Sequence, residues 1–287
     1  MPRQHRTQRR TGTSVRLTMR DVALLRALAR FRIARSRDLG RVFFSGRHRD
    51  VVASRLRRLY DGRYLEVHVL DLAAENVYAL GPQGHAWVAG QGVAARGIPR
   101  QPWHHHLGIV DIWTRVAAAV HGVEGLRLKR FVPDWEIREQ GLAAGYEVVP
   151  DGLLELASTG DTARLVLELD RGTESLEVVR RKVRAFADLR GRRSSFLDWP
   201  TFELVLVLDA AGASREAKLR ELVANEWPGS VLVWTPQTEL IGELQLLAGL
   251  TAPALTDSRC GNGRERLLTR DVTERLPATG GRPSEDA

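Results

Sequence analysis

Three acids and one lysine stand out for the chemistry their spacing allows. Val148-Val149-Pro150-Asp151-Gly152-Leu153-Leu154 reads as an extended segment with a proline directly before an aspartate. After a turn around Thr159-Gly160-Asp161, Ala163 to Asp170 forms a largely apolar strand that carries Glu168 and Asp170 at its end. Side chains two apart share a face of a strand, so Glu168 and Asp170 point the same way. Antiparallel pairing of the two strands would bring Asp151 beside them. Carboxylates grouped like this suit a hard divalent ion such as Mg2+ or Mn2+, which activates water and stabilises charge on a phosphoryl oxygen. Lys182, one of only three lysines (with Lys129 and Lys218), lies on the following helix near Arg180, Arg181 and Arg184. A compact ammonium partners attacking water or a leaving oxygen better than a guanidinium fork does. The expected catalytic set is Asp151, Glu168, Asp170 and Lys182, with the three acids as metal ligands. The alternative is a set of polar strand ends tied down by Arg171, Arg180 or Arg184.

Other chemical residues point less clearly. His104-His105-His106 project in three directions from a helix and do not suit one ion. Asp209, at a strand end, reads first as a solvated turn, with membership of the carboxylate cleft as the alternative. The single cysteine, Cys260, excludes an internal disulfide framework and multi-cysteine zinc sites. None of the four tyrosines sits in a histidine cluster of the kind a relaxase would need.

The charge is unevenly placed. Residues 1–63 hold eighteen arginines against four acids, a net of +14, whereas the remainder carries 25 bases and 31 acids, a net of −6. A general preference for arginine would leave the remainder basic as well. The basic portion begins with an aperiodic arm, residues 1–16. A helix follows, with Thr18 as cap, Asp21 three residues on as in a capping box, and an apolar face of Val22, Leu24, Leu25, Leu28 and Phe31. A short helix opens at Ser36, and Gly46 breaks the chain. A third helix runs from His48 to Asp61 with Val51, Val52, Leu56, Leu59 and Tyr60 inward. Tyr64–Leu70 and Asn76–Leu80 then read as a hairpin. Three helices and a hairpin make a winged helix-turn-helix, whose third helix can enter a major groove about 12 Å wide. The expected DNA contacts are Arg47, Arg49, Ser54 and Arg55 in the groove, with Arg57, Arg58 and Arg63 along the backbone. Winged helices also dock proteins, so a non-DNA role is the competing reading.

Residues 90–102, rich in glycine and proline, read as a linker between residues 17–89 and a second domain over residues 103–250. There a helix from His106 to Val120 precedes strands and helices in alternation, which predicts a mixed sheet flanked by helices, an α/β class. Residues 240–247 suggest a last helix and residues 251–287 a disordered tail. No apolar run is long enough for a membrane span, and the basic N-terminus lacks a signal-type stretch, which points to a cytoplasmic protein.

With these residues in view, the chain resembles the plasmid replication-relaxation family, proteins associated with mobile elements. The resemblance rests on the winged helix from Leu17 to Leu80, His106-Leu-Gly-Ile-Val-Asp111, Pro150-Asp151-Gly152, and Leu167-Glu168-Leu169-Asp170-Arg171-Gly172-Thr173-Glu174 with Lys182. The second half is also similar to the restriction-endonuclease-like fold, whose pattern is Pro-Asp, then an acid, any residue and a lysine. That similarity implies Asp151 and Glu168 as metal ligands. Asp170 stands where that fold's lysine would be, leaving Lys182 to reach in from the helix. The resemblance implies a DNA-binding accessory protein of plasmid replication or transfer. Its expected partners are duplex DNA and replication or mobilisation proteins, with a homodimer left open. The alternatives are an active Mg2+- or Mn2+-dependent endonuclease and a transcriptional regulator with a non-catalytic second domain.

Overall fold

In the computed structural model, residues 9–10, 14–69, 75–158, 161–191, 199–209, 212–229 and 231–235 are described. Residues 240–287, with Cys260, and most of the N-terminal arm lie outside them.

Helix α1 (Met19–Phe31) starts where the sequence signals it. The Thr18 amide donates to Asp21 Oδ2 at 2.7 Å, and the Asp21 amide donates to Thr18 Oγ1 at 3.3 Å. The reciprocal pair satisfies two amides that the first turn would otherwise leave open. Strand β1 (Ile33–Arg35), too short to show alternation in the sequence, leads into α2 (Ser36–Phe43). Helix α3 spans Arg49–Asp61, and strands β2 (Leu65–Val69) and β3 (Asn76–Leu80) follow. The sheet order is β1-β3-β2, all antiparallel, which completes a winged helix. Val51 was expected inward but is exposed. Val52, Leu56, Leu59 and Tyr60 suffice to fill that side of α3, and Val51 lies outside the wedge they define.

Helices α4 (Pro82–Gly90) and α5 (His104–His121) lead to the larger sheet. It comprises β4 (Arg127–Pro133), β5 (Gly152–Ala157), β6 (Thr162–Asp170), β7 (Glu203–Leu208) and β8 (Val231–Trp234), in that order. Strands β4, β5 and β6 are antiparallel neighbours, while β6, β7 and β8 run parallel. A short α6 (Asp134–Glu139) follows β4, α7 (Leu176–Gly191) connects β6 to β7, and α8 (Ala213–Glu226) connects β7 to β8. This is the mixed sheet flanked by helices that the alternation predicted.

The two faces of the sheet bury different partners. Val166, Leu204, Leu206 and Leu208 pack on Val179, Val183 and Phe186 of α7 and on Leu219 and Leu222 of α8. Leu165, Leu167, Val205 and Val207 pack on α5, and the same core runs on into Leu28, Phe31 and Leu39 of the winged helix. Gly108 is where α5 comes closest. A Cβ there would stand 2.6 Å from Leu169 Cδ2.

The winged helix is therefore joined to the sheet rather than tethered to it. Phe31 stacks on Trp113 with centroids 4.1 Å apart. Arg30 forks onto Glu136 at 2.9 Å through two nitrogens and also donates to the Phe131 carbonyl. Arg41 reaches Asp111 at 3.0 Å and Thr114 at 2.6 Å. His106 stacks on Trp135 and lies 2.7 Å from the Phe31 carbonyl. The expected linker is pinned as well. The Arg96 amide donates to Ala29, and Trp103 packs on Ile33, Val77 and Ala79. Among the described residues, no helix is long and apolar enough to cross a membrane.

Candidate functional site

Two regions hold the residues singled out by the sequence. The first is the end of the large sheet where β5 begins and β6 finishes. Asp151, just before β5, straddles Glu168. Its amide donates to the Leu167 carbonyl at 3.0 Å, and its Oδ2 accepts the Leu169 amide at 2.7 Å. Glu168 faces α7, whose Lys182 donates to its Oε1 at 2.5 Å and to Glu174 at 3.0 Å. The structure thus brings Asp151, Glu168 and Lys182 together. It adds His105, which pairs with Asp151 Oδ1 at 3.2 Å. Nothing in the sequence links His105 to Asp151, because the contact depends on how α5 lies against β6.

Asp170 shares a face with Glu168 but belongs to a different network. Arg215 of α8 grips it with two hydrogen bonds of 2.7 Å and also donates to the Glu174 carbonyl. Arg171 pairs with Asp209 at 3.6 Å, at the same end of the sheet.

The electrostatics follow from burial. Glu168 is 4% exposed. That burial, reinforced by the Asp151 charge and opposed by Lys182, pushes its carboxyl up to about 8. Burial works against the charge on Lys182, yet Glu168, Glu174 and Asp151 outweigh it and hold the ammonium above lysine's ordinary range. Hydrogen bonding to Asp151 raises His105 despite its own desolvation. Burial raises Asp134, which stands close to the same group.

As arranged, these residues do not fit the divalent ion that the restriction-endonuclease-like pattern implies. Both Asp151 oxygens and both Asp170 oxygens already have partners, and Lys182 holds one oxygen of Glu168. Glu168 Oε2 is buried without a hydrogen-bond partner, and one open oxygen cannot replace the several that Mg2+ or Mn2+ requires. Among the described residues, no group of three His, Cys, Asp or Glu side chains could hold a metal ion.

The second region is the outer surface of α3. His48 caps it, with Nδ1 accepting the Asp50 amide at 3.4 Å. Arg47, Arg49, Ser54, Arg58 and Arg63 are exposed. Among the described residues, no acid pairs with the guanidinium of Arg47, Arg49, Arg58 or Arg63. Arg55 and Arg57 stand apart from them. Arg55 donates to Asp21 Oδ1 at 2.9 Å and to the Arg16 carbonyl at 2.9 Å, binding α3 to the start of α1. Asp21 is fully buried, and Arg55 with Thr18 outweighs that burial to hold its carboxyl below the usual range. Arg57 pairs with Asp61 at 3.1 Å and lies over Tyr60. The expected groove contact at Arg55 thus meets a residue already occupied within the fold.

Among solved structures, the restriction endonuclease FokI bound to DNA is similar at 10% identity and a TM-score of 0.28, covering 80% of this chain and 45% of that one. No curated protein matches. The replication-relaxation family matches residues 25–197, from within α1, through α3 and the carboxylate group, to just beyond α7. That span exceeds half of the sequence and includes the motifs of both regions, and the chain belongs to the replication-relaxation family.

Proposed function

We propose that this protein is a duplex-DNA-binding accessory factor of plasmid or mobile-element replication or transfer, acting in the cytoplasm. It would dock through α3 and use the sheet domain as a non-cleaving platform. The observation that carries this reading is the set of exposed guanidinium groups at Arg47, Arg49, Arg58 and Arg63, on and beside a helix that the rest of the fold holds outward. Phosphates would neutralise them and release counterions, so affinity would fall steeply with salt. The family setting supports the biological role, and replication or mobilisation proteins are the partners it suggests.

The platform reading follows from Lys182 and Arg215 neutralising the carboxylates. A fold alone does not confer an activity. The test is binding of a labelled 30-base-pair duplex, followed by anisotropy across a salt series. An Arg47→Ala, Arg49→Ala, Arg58→Ala triple variant should bind more weakly, with a log–log salt slope shallower by roughly 2 to 3. Unchanged affinity and slope would overturn the assignment of α3.

A further inference from the structure

We propose that α3 reads thymine through Val51, whose exposed side chain packs against the 5-methyl group in the major groove. The inference rests on the reading of α3 as the DNA-facing helix and adds a base preference to it. Single exposed apolar side chains are common on protein surfaces and by themselves mean little. Val51 is distinguished by its neighbours. It is 50% exposed on a helix whose apolar needs are already met by Val52, Leu56 and Leu59. Val51, Ser54 and Arg58 are spaced three and four residues apart and share one face. Arg47 stands just before the helix and Arg49 in its first turn, and both are exposed.

Charge complementarity selects the occupant. A protein partner's apolar patch would meet the exposed guanidinium groups of Arg47, Arg49 and Arg58, whereas duplex DNA offers phosphates to those groups and a groove floor to Val51 and Ser54. On that floor the thymine methyl is the apolar group available to Val51, while Ser54 can hydrogen-bond to a neighbouring base edge. Asp50 stands next to Val51 with its side chain 81% exposed, close to His48 at 3.3 Å. An exposed carboxylate there disfavours indiscriminate phosphate binding and suits a cytosine amino group beside the thymine.

The experiment starts by selecting sequences from a random-core duplex library with the full chain. Each thymine of the enriched duplex is then replaced singly by uracil, which lacks only the methyl group. Anisotropy should show wild-type binding weakened about fourfold at one or two of these positions, the effect of losing one buried methyl. Val51→Asn, which replaces the apolar side chain by a polar one, should lose the preference for thymine over uracil. Arg58→Ala should weaken both forms alike and keep the preference. The proposal is overturned if wild type is indifferent at every thymine, if Val51→Asn keeps the discrimination, or if duplex binds without any sequence being enriched. In those cases salt-dependent binding would persist and the DNA-docking reading would stand. Absence of any binding would bring down both. Because Val51 is exposed, the variant should melt like wild type, and its thermal unfolding provides the control.

Discussion

Glu168 and Lys182 show how a pair of residues can suggest catalysis and serve another end. Glu168 is buried under α7, and Lys182 supplies the positive charge that makes this tolerable. Removing one partner of such a pair leaves an uncompensated charge, which costs more than removing both. At pH 9, where Glu168 is ionised, Lys182→Met should lower stability by about 2 kcal/mol in urea unfolding, the partial exposure of the ammonium reducing the fully buried figure. At pH 7, where the buried carboxyl can hold a proton instead, the loss should be smaller. Adding Glu168→Gln should recover much of the loss. A double variant as unstable as the single would contradict the pairing. His106 gives a second residue-scale test. Burial holds its ring down to about 4, against an ordinary value of 6.5. The fold therefore favours the neutral ring, and its contribution is complete above pH 6.5. It declines as pH falls from 6.5 toward 4, by about 3 kcal/mol at most. Between pH 7.5 and 5, wild type should lose stability relative to His106→Phe in urea unfolding. This difference between the two isolates the imidazole from Glu168, whose raised carboxyl titrates over the same range with the opposite sign.

At the scale of elements, α3 divides its arginines between two tasks. Arg55 ties the helix to Asp21 of α1 and Arg57 pairs with Asp61 along the helix itself, whereas Arg49 and Arg58, with Arg47 just before the helix, face outward. Arg55→Ala should lower the melting temperature, because it leaves the buried Asp21 without its cation. Arg58→Ala should leave melting unchanged and reduce the salt slope of DNA binding by about 1. Reversed outcomes would assign the two residues to opposite tasks. The sequence revealed the extent of α3 and its charge, since an apolar stripe and a run of arginines are local signals. It did not reveal which arginines were engaged. Asp21 lies 34 positions from Arg55, and only the packing of α1 against α3 brings them together.

At the scale of the whole molecule, the winged helix and the sheet share one core. Phe31, Trp113 and Trp135 meet where α1, α5 and α6 converge, and Arg30, Arg32 and Arg96 close the seam onto Glu136 and Glu139. Burying the aromatic rings at this junction stabilises the orientation of α3 relative to the sheet. A fragment of residues 14–89 would expose Phe31 and lose the partners of Arg30 and Arg41, so it should melt below the full chain and without a sharp transition. Circular dichroism on both would decide this. A fragment as stable and cooperative as the full chain would mean two independent domains. The glycine- and proline-rich stretch at residues 90–102 gave the opposite impression, because composition reports a loop's local freedom and not what the loop packs on.

Most of the elements, though not the three-residue β1, and the division of charge are local properties of the sequence. The capping pair at Thr18 and Asp21, the apolar stripes, and the alternation of strand and helix after residue 103 are all fixed by near neighbours. Even the convergence of Asp151 on Glu168 was legible, because antiparallel pairing of two identifiable strands leaves little alternative. What those carboxylates face depends on long-range packing. Arg215 reaches Asp170 from 45 residues away and His105 reaches Asp151 from another helix, so the balance of charge at the sheet end depends on how three helices lie on two faces. Long-range packing set Lys182 beside Glu168 and Arg215 beside Asp170, and it left Val51 outside a core that was already full.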